Sequence, residues 1–207
     1  MSMSMTAMNT MGSTNTHWGV CGFTSSFYSM YELNPGKRAL LIGAGIASRV
    51  LAEIKTYLMT LKAKGNTALL QEIETFTKSF GVVGSCDFGN FKIDKYIASI
   101  NSAVGRSDAD IKADGYFSIA MPPAAVADYL KEIWETDSET QVVKGGDGGT
   151  EEAVIGVADG TMQMYDGLCH YMYRSGGKIY SWGQVFGSVT EANSGFRVCR
   201  VIKIKKK

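Results

Sequence analysis

Apolar residues recur at intervals of three and four through the first two thirds of the chain, then at intervals of two. Over 21–33, Phe23, Phe27, Met30 and Tyr31 fall on one face of a helix. Asn34-Pro35-Gly36 ends it. A long second helix is predicted over 37–64, with Leu41, Val50, Leu51, Ile54, Leu58 and Leu61 in one stripe, and Gly65-Asn66 stops it. Further helices are predicted over 67–80 and 94–104, and from Pro122-Pro123 through Trp134, since proline suits a first turn.

Residues 136–152 are polar and contain Lys144-Gly145-Gly146-Asp147-Gly148-Gly149, which reads as a mobile loop able to act as a lid. After it, alternation predicts strands over 153–157, 161–165, 170–174, 178–186 and 196–204. Helices first and an antiparallel sheet last is an α+β pattern. The dipeptide Gly176-Gly177 between two alternating runs signals a tight hairpin. It pairs Ser175 with Lys178, Tyr173 with Tyr180, and His170 with Gly183. Alternation then puts His170, Met172, Ile179, Ser181 and Gly183 on one face, and Tyr171, Tyr173, Tyr180 and Trp182 on the other.

The length of 207 residues fits one domain over 15–207. Residues 1–14, rich in Met, Ser and Thr, read as a flexible arm. They lack the basic start and apolar core of a signal peptide. The expectation is a chain made in the cytoplasm that leaves its cell, if it does, through a dedicated secretion machine. No apolar run reaches the roughly 20 residues of a spanning helix. A formal net charge of +1 gives no overall electrostatic case for nucleic acid. The lysines at 203, 205, 206 and 207 read as a solvated end. Four cysteines without a Cys-x-x-Cys pair, and only two histidines, argue against a disulfide framework or a structural zinc site; no cofactor is expected.

Two stretches carry candidate chemistry. Asn15-Thr-His17-Trp18-Gly19-Val-Cys21-Gly22 leads into the first long helix. A helix N-terminus favours a thiolate, the nucleophilic form of cysteine. Asn15 and the Cys21 N–H are candidate donors to an oxyanion. Gly19 and Gly22 would let a substrate backbone approach, and His17 or Trp18 would line the site. Far along the chain, Cys169-His170 opens a strand and Tyr180-Ser181-Trp182-Gly183 follows the hairpin turn. His170 is the candidate base. Three residues are candidates to orient it: Ser181, Gln184 if Gly183 forms a bulge, and Asp166.

Together these stretches resemble the papain-like cysteine peptidase superfamily, and are most similar to its compact bacterial branch of double-glycine leader peptidases and toxin or effector domains. Asn15 stands where that family has Gln, and Tyr180 where it has the orienting Asn. The resemblance implies a papain-like α+β fold with Cys21 at a helix N-terminus facing the sheet. It implies a cysteine protease with Cys21 and His170 catalytic and the residue at Asn15 serving the oxyanion; the register adds Ser181 as the catalytic orienting candidate, and Trp18, Gly22 and Trp182 are candidates to bind substrate. It further implies a protein or peptide substrate, a secreted role in bacterial competition and a neutralising immunity protein, with no nucleic acid or membrane partner. Glutamine deamidation or peptidoglycan amide hydrolysis would use the same chemistry. A non-enzymatic module binding through the Tyr/Trp face of the hairpin is the competing class.

Two weaker motifs have plainer readings. Leu40-Leu-Ile-Gly43-Ala-Gly45-Ile-Ala-Ser48 imitates a dinucleotide fingerprint without its third glycine or a following strand. Asp108, Asp110 and Asp114 lack the glycine and closing glutamate of a calcium loop and read as a solvated turn.

Overall fold

The computed structural model describes residues 4–16, 18–41, 45–83, 86–113 and 117–205. His17, Gly43 and Asp114 therefore lie outside the described residues. The helices are α1 (Met5–Gly12), α2 (Cys21–Leu33), α3 (Arg38–Leu41), α4 (Ile46–Ala63) and α5 (Thr67–Ser79). A two-residue hairpin follows, β1 (Val82–Val83) against β2 (Cys86–Asp87). Then come α6 (Ile93–Ser102), α7 (Asp108–Lys112) and α8 (Pro123–Trp134). The second half adds β3 (Ser138–Val142), β4 (Ala153–Ala158), β5 (Leu168–Ser175), β6 (Lys178–Ser181), β7 (Gln184–Phe186), the short α9 (Val189–Ala192) and β8 (Arg197–Ile204). Strands β3 to β8 make an antiparallel sheet in the order β3-β8-β4-β5-β6-β7. The α+β class is as the periodicity predicts. No described helix is long and apolar enough to cross a membrane.

Helix α2 is central. Every residue from Gly22 to Tyr31 is buried, so it is enclosed on all sides rather than along one stripe. Its hydroxyls are satisfied within the helix: Ser26 donates to the Gly22 carbonyl at 2.8 Å and Ser29 to that of Ser26 at 2.7 Å. Small serines let the helix lie close to β5. Two hydroxyl–carboxylate contacts fix its height: Glu32 accepts from Tyr173 Oη at 2.7 Å and from Ser175 Oγ at 2.9 Å. The face of the sheet carrying Tyr171, Tyr173 and Tyr180 joins the helical core. The opposite face carries Met172 and Ile179 in a smaller cluster with Val157, Val189 and Val201.

The register of the Gly176-Gly177 hairpin is as expected, with Ser175 opposite Lys178 and Tyr173 opposite Tyr180. Several expectations are overturned. The tyrosine face is core, so it offers no partner-binding surface. Residues 178–186 are two strands, because Trp182 and Gly183 both adopt positive φ (49° and 76°) and turn β6 into β7. The ladder therefore stops before His170 meets Gly183, and Trp182 leaves the tyrosine face to pack on the opposite cluster. The 161–165 strand is absent: Tyr165 and Asp166 are left-handed within a short 3-10 segment. The long helix over 37–64 is interrupted, and α4 starts after Gly45 at φ 76°.

Residues assigned to a flexible arm instead include α1, with Ala7 and Met11 buried. The expected mobile loop contains β3, an edge strand whose polar, exposed residues carry little strand signal. The rest of that loop is fastened by Arg174, which donates to the carbonyls of Asp147 (2.7 Å), Gly148 (3.2 Å) and Glu151 (2.9 Å). Arg174 lies four residues beyond His170 on β5, about 13 Å along the strand. The loop is therefore not a lid over the His170 end.

A Cβ on Gly12 would overlap the Gly183 nitrogen and the Tyr28 hydroxyl. Gly12→Ala is expected to lower stability by about 3 kcal/mol in denaturant titration and to open residues 4–16 to limited proteolysis.

Candidate active site

Asn15 shapes the entry to α2. Its Oδ1 accepts from the Val20 N–H at 3.1 Å, and the Trp18 N–H donates to the Thr14 carbonyl at 3.1 Å. This closes a tight loop that delivers Cys21 as the first helical residue. Asn15 thus uses its oxygen in the fold and keeps its Nδ2 donors for the cleft it lines. Segment 117–121 backs the loop. The Gly19 N–H donates to Ser118 Oγ at 3.2 Å, and Thr77 Oγ1 both donates to the Ala120 carbonyl and accepts its N–H, each at 3.1 Å.

His170 enters from the other side of the chain. A bulge in β5 opposite Val157 and Ala158 sets Cys169 off the ladder just before it. His170 Nε2 lies 2.8 Å from Ser181 Oγ. With hydrogen on Nε2, Ser181 accepts it and Nδ1 keeps a lone pair. The indole of Trp182 stacks on the imidazole, ring centres 4.3 Å apart and planes 5° from parallel. The left-handed turn thus places an aromatic cover on the imidazole.

Cys21, His170, Asn15, Trp18 and Trp182 line one cleft of about 280 Å³. The sequence therefore picked residues that the fold brings together from positions 149 apart in the chain. Cys21 also lies against the backbone of Tyr171, the residue after His170. Among the described residues no hydrogen bond joins the thiol to the imidazole, so the two share a cleft without a closed dyad. Ser181 is the orienting partner of the three candidates. Asp166 is held in an ion pair with Arg200 at 2.7 Å, and Gln184 pairs with Ser181 in the β6–β7 ladder and is exposed. Gly22 is a correction: it packs under Met121, whose side chain would lie 3.0 Å from an added Cβ, and does not line the cleft. Gly19, the other glycine flanking Cys21, does line it. Trp18 is buried against Phe117, and its Nε1 is without a hydrogen-bond partner.

The expectation of a resting thiolate is also overturned. Burial pushes the Cys21 thiol up from 9.0 to about 11, outweighing the backbone groups that favour the anion. Burial takes His170 down from 6.5 to about 3. Near neutral pH the cleft therefore holds a thiol and an uncharged imidazole. Residues missed by sequence reasoning are Phe80, Val83, Phe88, Ser118, Ala120 and Cys169. Only Cys169 had a local signal, its place beside His170. No family model, curated protein or solved structure matches the chain.

Because the folded His170 binds its proton about three units below an exposed histidine, the unfolded chain takes up a proton first as pH falls. Stability is then complete above about pH 6.5 and is lost progressively toward pH 3. His170→Gln is expected to flatten this part of a stability–pH curve measured by denaturant titration. Trp182→Asn, which suits a left-handed turn and uncovers the ring, is expected to raise the His170 pKa by one unit or more in an NMR titration.

Proposed function

We propose that this chain is a papain-like cysteine hydrolase acting on a polypeptide amide. The observation that carries the reading is the cleft shared by Cys21, at the N-terminus of the central helix, and His170, hydrogen-bonded to Ser181. The neutral resting pair suggests general-base attack rather than a preformed ion pair. The Cys21 sulfur adds to the amide carbonyl as its proton passes to His170 Nδ1. Asn15 Nδ2 and the Cys21 N–H, at the first turn of α2, stabilise the tetrahedral oxyanion. Collapse breaks the C–N bond, and the imidazolium gives its proton to the leaving amine. Water then attacks the thioester, with its proton taken by His170, and the acid leaves as the thiol re-forms.

The proposed context is a secreted bacterial toxin or effector with a protein target and an immunity partner. It rests on the family resemblance alone. Burial of the hairpin tyrosines counts against the binding-module alternative.

Expression in bacteria of wild type beside Cys21→Ala, His170→Gln and Ser181→Ala at matched levels tests the reading. It is read by growth and by proteomic search for new peptide termini. Cys21→Ala is expected to abolish cleavage. Ser181→Ala is expected to lower kcat by about 10- to 100-fold with little change in KM, as for loss of a group that orients a catalytic one. Equal behaviour of all four proteins, with no new termini, would reject it.

A further inference from the structure

One wall of the cleft comes from a segment with no part in the proposed chemistry. Strands β1 and β2 pair Val83 with Cys86 and Val82 with Asp87. The Gly81 carbonyl closes the base of this hairpin, accepting the N–H groups of Phe88 at 2.7 Å and Gly89 at 3.2 Å. Phe80 before the hairpin and Phe88 after it pack with ring centres 5.8 Å apart. The Phe88 ring lies 3.3 Å from the place of a Cβ on Gly19, two residues before Cys21. The wall is thus built directly against the loop that delivers the thiol.

Three properties of this wall define what it can hold. Phe80, Val83 and Phe88 are all apolar and all line the cleft. Val83 is nevertheless 53% exposed and its neighbour Val82 is 72% exposed, so a bound segment would cover apolar surface already presented to water. Among the described residues lining the cleft none is Asp, Glu, Lys or Arg, and His170 is held neutral by burial. A charged group seated there would lose its hydration without gaining a counter-charge. A volume of about 280 Å³ is at the small end of ligand sites, room for a side chain and the bond beside it.

We infer, resting on the hydrolase reading above, that Val83 on β1, with Phe80 and Phe88, forms the specificity wall. It selects an uncharged aromatic or branched apolar residue of a polypeptide next to the scissile amide. Peptidoglycan stem peptides, with free carboxylates close to the bond, fit this wall poorly.

The test uses the purified full chain and tripeptide vinyl sulfones carrying Phe, Val, Lys or Glu at the two residues nearest the electrophile. Cys21 labelling is followed by intact mass. Each rate is normalised to iodoacetamide alkylation of the same thiol in the same variant. Wild type is expected to react with the Phe and Val probes at least about tenfold faster than with the Lys and Glu probes. Val83→Glu should move the preference toward Lys probes, and Val83→Lys toward Glu probes. The exposure of Val83 makes both substitutions compatible with the fold, checked by thermal melting. Equal rates across the four probes, or a ranking unmoved in both variants, overturns the specificity wall and leaves the hydrolase reading standing. If iodoacetamide alkylates Cys21 but no peptide probe does, the hydrolase reading and the wall fall together.

Discussion

The seating of α2 on β5 fixes everything that matters in the cleft. Glu32 clamps one end of the helix to Tyr173 and Ser175. Tyr28, mid-helix, accepts the Gly183 N–H at 3.1 Å and so holds the turn after β6. That turn carries Ser181, which hydrogen-bonds the imidazole, and Trp182, which stacks on it. One helix thereby sets the position of the thiol at its own N-terminus and, through a tyrosine, that of the groups around His170. The contacts of Tyr28 and Glu32 with the sheet each span well over a hundred residues, so the cleft exists only once both halves of the chain have folded.

Two opposing effects act on Cys21. A helix N-terminus favours an anion by up to about 2 kcal/mol in favourable partly buried geometries. The rise of the thiol from 9.0 to about 11 corresponds to a net penalty on the anion of about 3 kcal/mol. Desolvation therefore exceeds the helix and backbone terms together. His170 is subject to the same imbalance, with its aromatic cover excluding the water that would support a charge.

What the sequence made legible was local. The three-and-four spacing before Asn34 marks α2 to the residue, and Gly176-Gly177 sets the hairpin register because a two-residue turn leaves the ladder little freedom. From these, Cys21, His170 and Ser181 follow. What it concealed was set by distant partners. β3 has five residues with almost no apolar signal and is a strand because β8 offers it a ladder. Trp182 looked like one more alternating strand residue, and only its left-handed backbone moves it onto His170. Phe80, Val83 and Phe88 carry no chemical motif; they reach Cys21 because the Gly81 carbonyl folds them back toward Gly19. Gly22 failed for the converse reason: the glycine beside a nucleophile suggested substrate access, whereas its missing side chain makes room for Met121.

The protonated state of the half-buried Cys21 thiol also bears on how the protein ages. Peroxides oxidise thiolates, and a sulfur that keeps its proton is a poor target for the first step toward sulfenic acid. Cys169 in the same cleft is held up to about 12, chiefly by burial and by the nearby Asp159, so it too is slow to react. Neither sulfur is primed to bridge to the other. Holding both sulfurs in the thiol form would slow their oxidation, whereas a permanently charged dyad would invite it.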